Sequence, residues 1–313
     1  MPISAGIHHI TAFVNDVQTT VDFYAGVMGL RLVKRTVNYD APDMYHLYFG
    51  NESGTPGTIM TFFPHEDAYL GTIGGGQVGI TVYAIPRGSL LFWKARLQHY
   101  NIQTMENLRF GEQYIRFADP SGLLVDLVER ESGEPSAWAF SGITAEQAIK
   151  GFGGAMLFST APEQTQRTLE KVIGLRQLGE EEGIIRFRTA ASPVQTIDLV
   201  AAPIPAVETG AGTVHHLAWR AKNAEEQRLW REELIAAGLR PTPVTDRQYF
   251  TAVYFREPGG ILFEIATDGP GFAVDEPAAL LGTSLKLPEE WEQEREQIVQ
   301  KLPSFEVRSL EGY

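Results

Sequence analysis

The chain contains no cysteine among its 313 residues. Disulfides, a thiolate nucleophile and thiolate-ligated zinc or iron–sulfur sites are thereby excluded, and any metal chemistry must use histidine and carboxylate ligands. Basic residues are also scarce. Lys and Arg total 26 against 39 Asp and Glu, a net charge of −13, which repels phosphate backbones and anionic lipid and argues against nucleic acid or a membrane surface as partner. No run of 18 apolar residues occurs, and residues 1–12 lack a basic segment followed by a continuous apolar one. The expectation is a cytoplasmic protein. What the chain has in quantity is turn residues, 31 Gly and 18 Pro, beside a hydrophobic fraction of 43% and no low-complexity tract. This fits a globular chain of about two domains, at roughly 150 residues each.

Internal repetition sets the organisation. A β-rich run at 7–14 (IHHITAFV) is followed by Asn15-Asp16 as a helix start. Val17, Val21, Tyr24 and Met28 then recur at the spacing of one helix face, up to Gly29, and strand-like runs follow at 31–39, 45–50 and 58–63. The same order of strand, helix and three strands returns with first strands at 77–84, 154–159 and 214–221 and helices at 88–100, 162–173 and 224–237. Their later strands fall at 103–106, 112–118 and 123–129, at 176–179, 183–189 and 195–200, and near 240–243, 251–256 and 261–266. IHHITAFV parallels VHHLAWRA (214–221), and YIRFADPSGLLVDLVER (114–130) parallels AVYFREPGGILFEIATD (252–268). Linkers are expected at 131–151 and 203–213, which are rich in Gly, Pro and small residues. The predicted fold class is α+β, four βαβββ modules forming two curved, cup-shaped barrels. Residues 1–135 would hold the first pair of modules, 150–270 the second, and 271–313 a tail whose helix starts at Pro288-Glu289-Glu290 and repeats Trp291, Ile298 and Leu302 on one face.

Four of the seven histidines form two pairs at the same point of modules one and four, His8-His9 and His215-His216. Alternation along a strand puts His9, Thr11 and Phe13 on one face and His8, Ile10, Ala12 and Val14 on the other, apolar one. His9 and its repeat equivalent His216 therefore point into a cup. Glu264, in the apolar strand ILFEIA, supplies a carboxylate that is costly to bury unless it is paired or binds a metal. Two imidazoles and one carboxylate make the facial triad of non-haem Fe(II) oxygenases, with open positions for substrate and O₂. The plainer alternative is a set of hydrogen-bonded core histidines with Glu264 meeting an Arg. Module three has Gly153-Gly154 where modules one and four have His-His, so modules one and four must come together to complete the site. Asp126 and Asp198 are acidic equivalents with no matching His. His46, His65 and His99 receive no role.

The modules, GIHHITAFV, the stretch VKRTVNYDAPDMYHLYFGNESGTPGTIMTFFP (33–64), GTVHHLAW and EPGGILFEIATDGPGF together resemble the vicinal oxygen chelate superfamily of glyoxalases, bleomycin-resistance proteins and extradiol dioxygenases. The likeness is to its hydroquinone ring-cleaving dioxygenase branch in particular. That resemblance implies Fe(II) on His9, His216 and Glu264, with Tyr254 and Arg247 beside the substrate and His8, Thr11 and His215 behind the ligands. Read without it, Tyr254 is a rim residue whose orientation spacing leaves open, and Arg247 is a surface charge. His8 and His215 serve packing or orientation.

The implied reaction opens a para-diol ring with O₂ to a 4-hydroxymuconic semialdehyde-type product. Tyr254 would act as acid/base or hydrogen-bond donor and Arg247 as stabiliser of the anionic ring or oxygen species. A catechol-type extradiol dioxygenase needs the same triad. A glyoxalase-like lyase or isomerase wants a fourth protein ligand, and Thr61 stands where module one would offer it. A metal-free sequestering protein would use the cup alone. A small hydroquinone-class substrate and O₂ are thus the expected partners. An exposed sheet edge gives such a chain a route to a homo-oligomer, and Phe272 with the segment to Leu281 is a candidate for closing the cup.

Overall fold

The computed structural model describes residues 3–189, 192 and 194–311. Module one comprises β1 (Ile7–Val14), α1 (Val17–Val21), β2 (Arg31–Asn38), β3 (Ala41–Gly50) and β4 (Ile59–Pro64). Module two comprises β5 (Gln77–Ile85), α2 (Leu90–His99), β6 (Met105–Arg109), β7 (Glu112–Ala118) and β8 (Leu124–Glu129). Module three follows with β9 (Gly151–Phe158), α3 (Pro162–Lys171), β10 (Arg176–Glu181), β11 (Ile184–Arg188) and β12 (Thr196–Val200). Module four has β13 (Thr213–Ala221), α4 (Ala224–Ala236), β14 (Thr245–Asp246), β15 (Phe250–Arg256) and β16 (Leu262–Pro270), and α5 (Arg295–Lys301) lies in the tail.

These strands form two eight-stranded sheets, β14-β15-β16-β13-β1-β4-β3-β2 and β10-β11-β12-β9-β5-β8-β7-β6. Modules one and four share the first and modules two and three the second, the pairing that the histidine distribution required. Each seam is antiparallel, β1 on β13 and β5 on β9. Within a module the first strand runs parallel to the last. The architecture is α+β. No helix of the described residues is long and apolar enough to cross a membrane.

Helices cover the convex faces, where Trp93 and Leu97 of α2, Leu169 of α3 and Trp230 and Leu234 of α4 are fully buried. Burying each such side chain contributes about 1.5–3 kcal/mol. Asp16 and Asn223 cap α1 and α4, accepting from Thr19 N at 2.6 Å and Glu226 N at 2.9 Å. The helix expected over 17–28 is regular only to Val21; a wider turn follows, in which Met28 N donates to Phe23 O at 2.8 Å. The strand expected near 240–243 forms instead at Thr245–Asp246, because Pro241 and Pro243 have no N–H for a ladder. The tail helix begins as a tight turn over Glu289–Glu294 before α5, and Ile298 and Leu302 are buried as their spacing required.

The turn after β7 carries a pH-dependent element. Asp119 Oδ1 accepts from Ser121 N and Leu123 N at 2.9 and 2.8 Å, and its Oδ2 accepts from Tyr24 OH at 3.1 Å. Burial, partly countered by these bonds, pushes its carboxyl up to about 6. A carboxyl raised in the folded state favours folding below its unfolded value and loses that contribution as pH rises through 6. Asp119→Asn keeps the acceptor and removes the charge. Its thermal stability relative to wild type should rise between pH 4 and pH 8 by roughly 2–3 kcal/mol, because each tenfold change in proton affinity on folding is worth about 1.4 kcal/mol. A constant difference across that range refutes the assignment.

Candidate metal centre and substrate pocket

His9 on β1, His216 on β13 and Glu264 on β16 come from three adjacent strands of the first sheet. The two Nε2 atoms are 3.1 Å apart, and Glu264 Oε2 lies 2.9 Å from His216 Nε2 and 3.3 Å from His9 Nε2. All three side chains are buried. These contacts are close but poorly aligned, and neither Glu264 oxygen accepts a well-formed hydrogen bond among the described residues. A fully buried carboxylate without a donor is expensive. The set of two imidazole nitrogens and one carboxylate oxygen, all within 4.8 Å of one another, fits a transition-metal cation held on one face.

Backbone irregularity brings the outer histidines here as well. Strict alternation would send His8 and His215 to the convex face. Instead Ile7 pairs with Trp219 and His9 with Ala218, leaving His8 as an extra residue in β1; Thr11 pairs with His216 and Ala12 with Val214, leaving His215 extra in β13. These two bulges re-aim the rings. His8 Nδ1 lies 2.9 Å from His9 Nδ1, and His215 Nδ1 lies 2.8 Å from His216 Nδ1.

Burial, aided by His9, holds His8 well below the ordinary imidazole value, and burial with His216 brings His215 down to about 3. Both outer rings are therefore neutral. Each Nδ1–Nδ1 contact is bridged by one proton, and the tautomer that carries it on the inner ring leaves that ring's Nε2 lone pair to the centre. Burial also lowers His216, with Glu264 offsetting only part of it. Burial pushes Glu264 up, but His9 and His216 outweigh that and hold it well below the usual carboxylate range. A deprotonated carboxylate beside an imidazole of lowered proton affinity is a combination that binds a cation.

Beyond the ligands opens a cavity of about 390 Å³, walled by Phe13, Phe63, Phe250 and Leu262 and carrying the polar side chains of Tyr254, Arg247, His46 and Tyr48. Its size and largely apolar lining suit one substituted aromatic ring. The ladder resolves the orientation of Tyr254, which pairs directly with Glu264 and shares its face. Its ring stands edge-on to His216 at 5.6 Å. Burial and then Glu264 push its hydroxyl far up, with Arg247 opposing, so Tyr254 stays protonated. Arg247 is no free surface charge: its guanidinium lies 5.7 Å from the Tyr254 ring centre, and its Nη2 meets Asp40 Oδ2 of module one at 3.2 Å. Thr11 Oγ1 is 2.9 Å from His216 Nε2.

Several neighbours of the centre were not singled out by the sequence pattern. Phe250 packs on His8 and His9, at 5.2 and 5.0 Å between ring centres, and Asp40 steadies Arg247. His46, given no role, lines the pocket and bonds Thr61 and Tyr48. His65 and His99 are exposed. Phe272 does not line the cavity; it packs against Tyr48 and Tyr249 behind the wall, each at 5.1 Å, and Leu281 joins that cluster.

Register assigns equivalent positions to the four modules. Glu264 pairs with Ala218, and the matching partners of first-strand residues are Thr61, Asp126 and Asp198. Opposite these on the next strand stand Tyr254, Tyr48, Arg116 and Arg186. In the second cup, Arg116 and Arg186 thus neutralise Asp126 and Asp198 through contacts of 2.7–2.9 Å, with Arg109 bridging to both. The same bulges recur there at Gly79 and Gly153. Gly154, at the place of His216, approaches β12 so closely that a Cβ would stand 1.8 Å from the Thr196 carbonyl oxygen.

Paired βαβββ modules with two histidines and one carboxylate in a single cup define a vicinal oxygen chelate protein. The sequence profile of the glyoxalase/bleomycin resistance protein/dioxygenase superfamily matches residues 6–127 and 151–265, and the chain belongs to that superfamily. It is 53% identical over 306 residues, 98% of each chain, to the protein named "Putative ring-cleaving dioxygenase MhqO" of Bacillus subtilis (strain 168). It is 31% identical over 309 residues, 95% of each chain, to a chlorohydroquinone/hydroquinone 1,2-dioxygenase of Sphingobium indicum. A crystal structure of a "putative dioxygenase" from Bacillus subtilis superposes with a TM-score of 0.98 at 52% identity, covering 99% of this chain and 100% of that one. Glyoxalase I from Zea mays, at 13% identity and a TM-score of 0.61 over 84% of this chain and 92% of its own, shares the fold.

Proposed function

We propose that this chain is a metal-dependent ring-cleaving dioxygenase that opens a hydroquinone with O₂, through Fe(II) on His9, His216 and Glu264. The observation that carries this reading is the buried Glu264 carboxylate, without a well-formed hydrogen bond, facing two imidazoles at the mouth of a ring-sized, aromatic-lined cavity. A cation there would favour the phenolate form of a bound ring hydroxyl and leave positions for both substrates. The chain's own groups do the rest. Phe13, Phe63, Phe250 and Leu262 hold the ring and exclude water. Tyr254, kept protonated beside Glu264, donates from its hydroxyl to the ring oxygen or oxygen co-substrate nearest the ligands. Arg247, oriented by Asp40, sets a permanent positive charge over the developing anion. Relatives named as ring-cleaving and hydroquinone dioxygenases support a dioxygenase activity on an aromatic ring. Thr61 at the remaining acidic position weighs against a lyase that needs a fourth protein ligand.

The test is oxygen uptake by anaerobically Fe(II)-reconstituted protein offered 2-methylhydroquinone, hydroquinone and catechol in parallel. Uptake with the hydroquinones, abolished in His216→Ala, is the expected result. Preference for catechol would replace the substrate assignment, and iron-loaded protein that consumes no oxygen with any ring would overturn the dioxygenase reading.

A further inference from the structure

The triad is off-centre in its cup. Two ligands come from module four and one from module one, so a ring attached through one oxygen must extend toward the module-one flank, where β4 and β3 form the wall. That wall holds Tyr48, the register equivalent of Tyr254 across the pseudo-two-fold axis between the modules, since Tyr48 pairs with Thr61 as Tyr254 pairs with Glu264. The two tyrosines face one pocket from opposite sides. Only Tyr254 lies beside the ligands.

Tyr48 is also the start of a hydrogen-bonded file. Its hydroxyl is 2.9 Å from His46 Nδ1, His46 Nε2 is 2.8 Å from Thr61 Oγ1, Thr61 donates to Thr11 Oγ1 at 2.9 Å, and Thr11 lies 2.9 Å from His216 Nε2. Because Thr61 donates to Thr11, it must accept from His46, which then carries its proton on Nε2 and accepts from Tyr48 at Nδ1. Tyr48, His46 and Thr61 therefore each donate toward the centre. Both ring nitrogens of His46 are engaged, and its ring is tilted 34° over that of Tyr48 with centres 4.1 Å apart. The Tyr48 oxygen, having given its hydrogen inward, keeps its lone pairs for a further donor. A substrate hydroxyl is such a donor.

We propose that Tyr48, aimed by His46, accepts a hydrogen bond from the substrate hydroxyl that is not on the metal, and that this contact selects para-diols. The oxygens of a para-diol stand at opposite ends of the ring, so one reaches the Tyr48 wall while the other meets the ligands. In catechol they are neighbours, and neither reaches across. Tyr48 touches substrate; His46 is a positioning residue that orients the Tyr48 hydroxyl.

This assignment rests on the ring-cleaving reading above, and the test separates the two. Dissociation constants for hydroquinone and for phenol, which lacks the second hydroxyl, are measured anaerobically on Fe(II)-loaded wild type, Tyr48→Phe and His46→Gln, without turnover. Wild type should prefer hydroquinone. Tyr48→Phe should bind hydroquinone about 3- to 12-fold more weakly, the value of one hydrogen bond, and phenol unchanged; His46→Gln should show a smaller loss of the same selectivity. Equal loss for both rings, or retention of the preference in Tyr48→Phe, overturns the assignment of Tyr48 while leaving the enzyme reading intact. Wild type that binds neither ring overturns both.

Discussion

Glu264→Gln should abolish metal retention and oxygen uptake together while leaving the metal-free protein close to wild type in stability. The carboxylate is fully buried and accepts no well-formed hydrogen bond, so without a cation its desolvation is offset only by His9 and His216. The amide has the same shape and no charge. With metal present wild type becomes the more stable, because a ligand that binds only the folded state stabilises it by mass action. Loss of affinity should be at least about 100-fold, since removing partners behind the ligands already costs about 10–100-fold. Elemental analysis after gel filtration and melting curves with and without Fe(II) check both halves. A Glu264→Gln protein that keeps its iron, or that melts far below metal-free wild type, would show that Glu264 is a structural acid.

The second large effect is expected in the cup that has no histidine. Asp198 is buried and receives Arg186 Nε and Nη2 at 2.7 and 2.8 Å, while Arg186 also meets Glu112 Oε2 at 2.6 Å and donates to Tyr114 OH at 2.9 Å. Truncation by Asp198→Ala leaves Arg186 with Glu112 alone and Arg109 sharing Asp126 with Arg116, an excess of positive charge in a closed interior. Removing one partner of a buried pair typically costs about 3–5 kcal/mol, which for a chain of this size lowers Tm by roughly 10 °C. Oxygen uptake per folded molecule should stay at the wild-type level, because the residue lies in the other sheet. Wild-type melting of Asp198→Ala would mean that the network is wet and of little energetic weight.

Much of this was readable from the chain, for definite reasons. IHHITAFV forms β1 over the residues expected, and the β-α-β-β-β order recurs four times, because hydrophobic periodicity and Gly-bounded turns are local signals. The meeting of His9, His216 and Glu264 in one cup was legible because a repeat makes His9 and His216 comparable without a structure. The inward turn of His8 and His215 was not: a bulge is set by the register of a partner strand about 200 residues away, and alternation within one strand carries no trace of it. His46 and Tyr48 left a signal that went unread. Tyr48-Phe49 in β3 aligns with Tyr254-Phe255 in β15, both before a Gly-containing turn and the last strand of a module. Extending the repeat alignment one strand further would have paired the two tyrosines. The Asp40–Arg247 contact joins loops of different modules and has no local signature.

The glycine at 154 makes the inequality of the two cups permanent. With β12 lying where a side chain would have to begin, no exchange at this backbone position can supply the second cup with the counterpart of His216, however suitable the surrounding acids look. A descendant of this chain could alter its one centre, but it could regain a second only by moving the backbone of β9 or β12. Four copies of one scaffold are thus unequal in a single backbone approach, which is open at His216 and closed at Gly154.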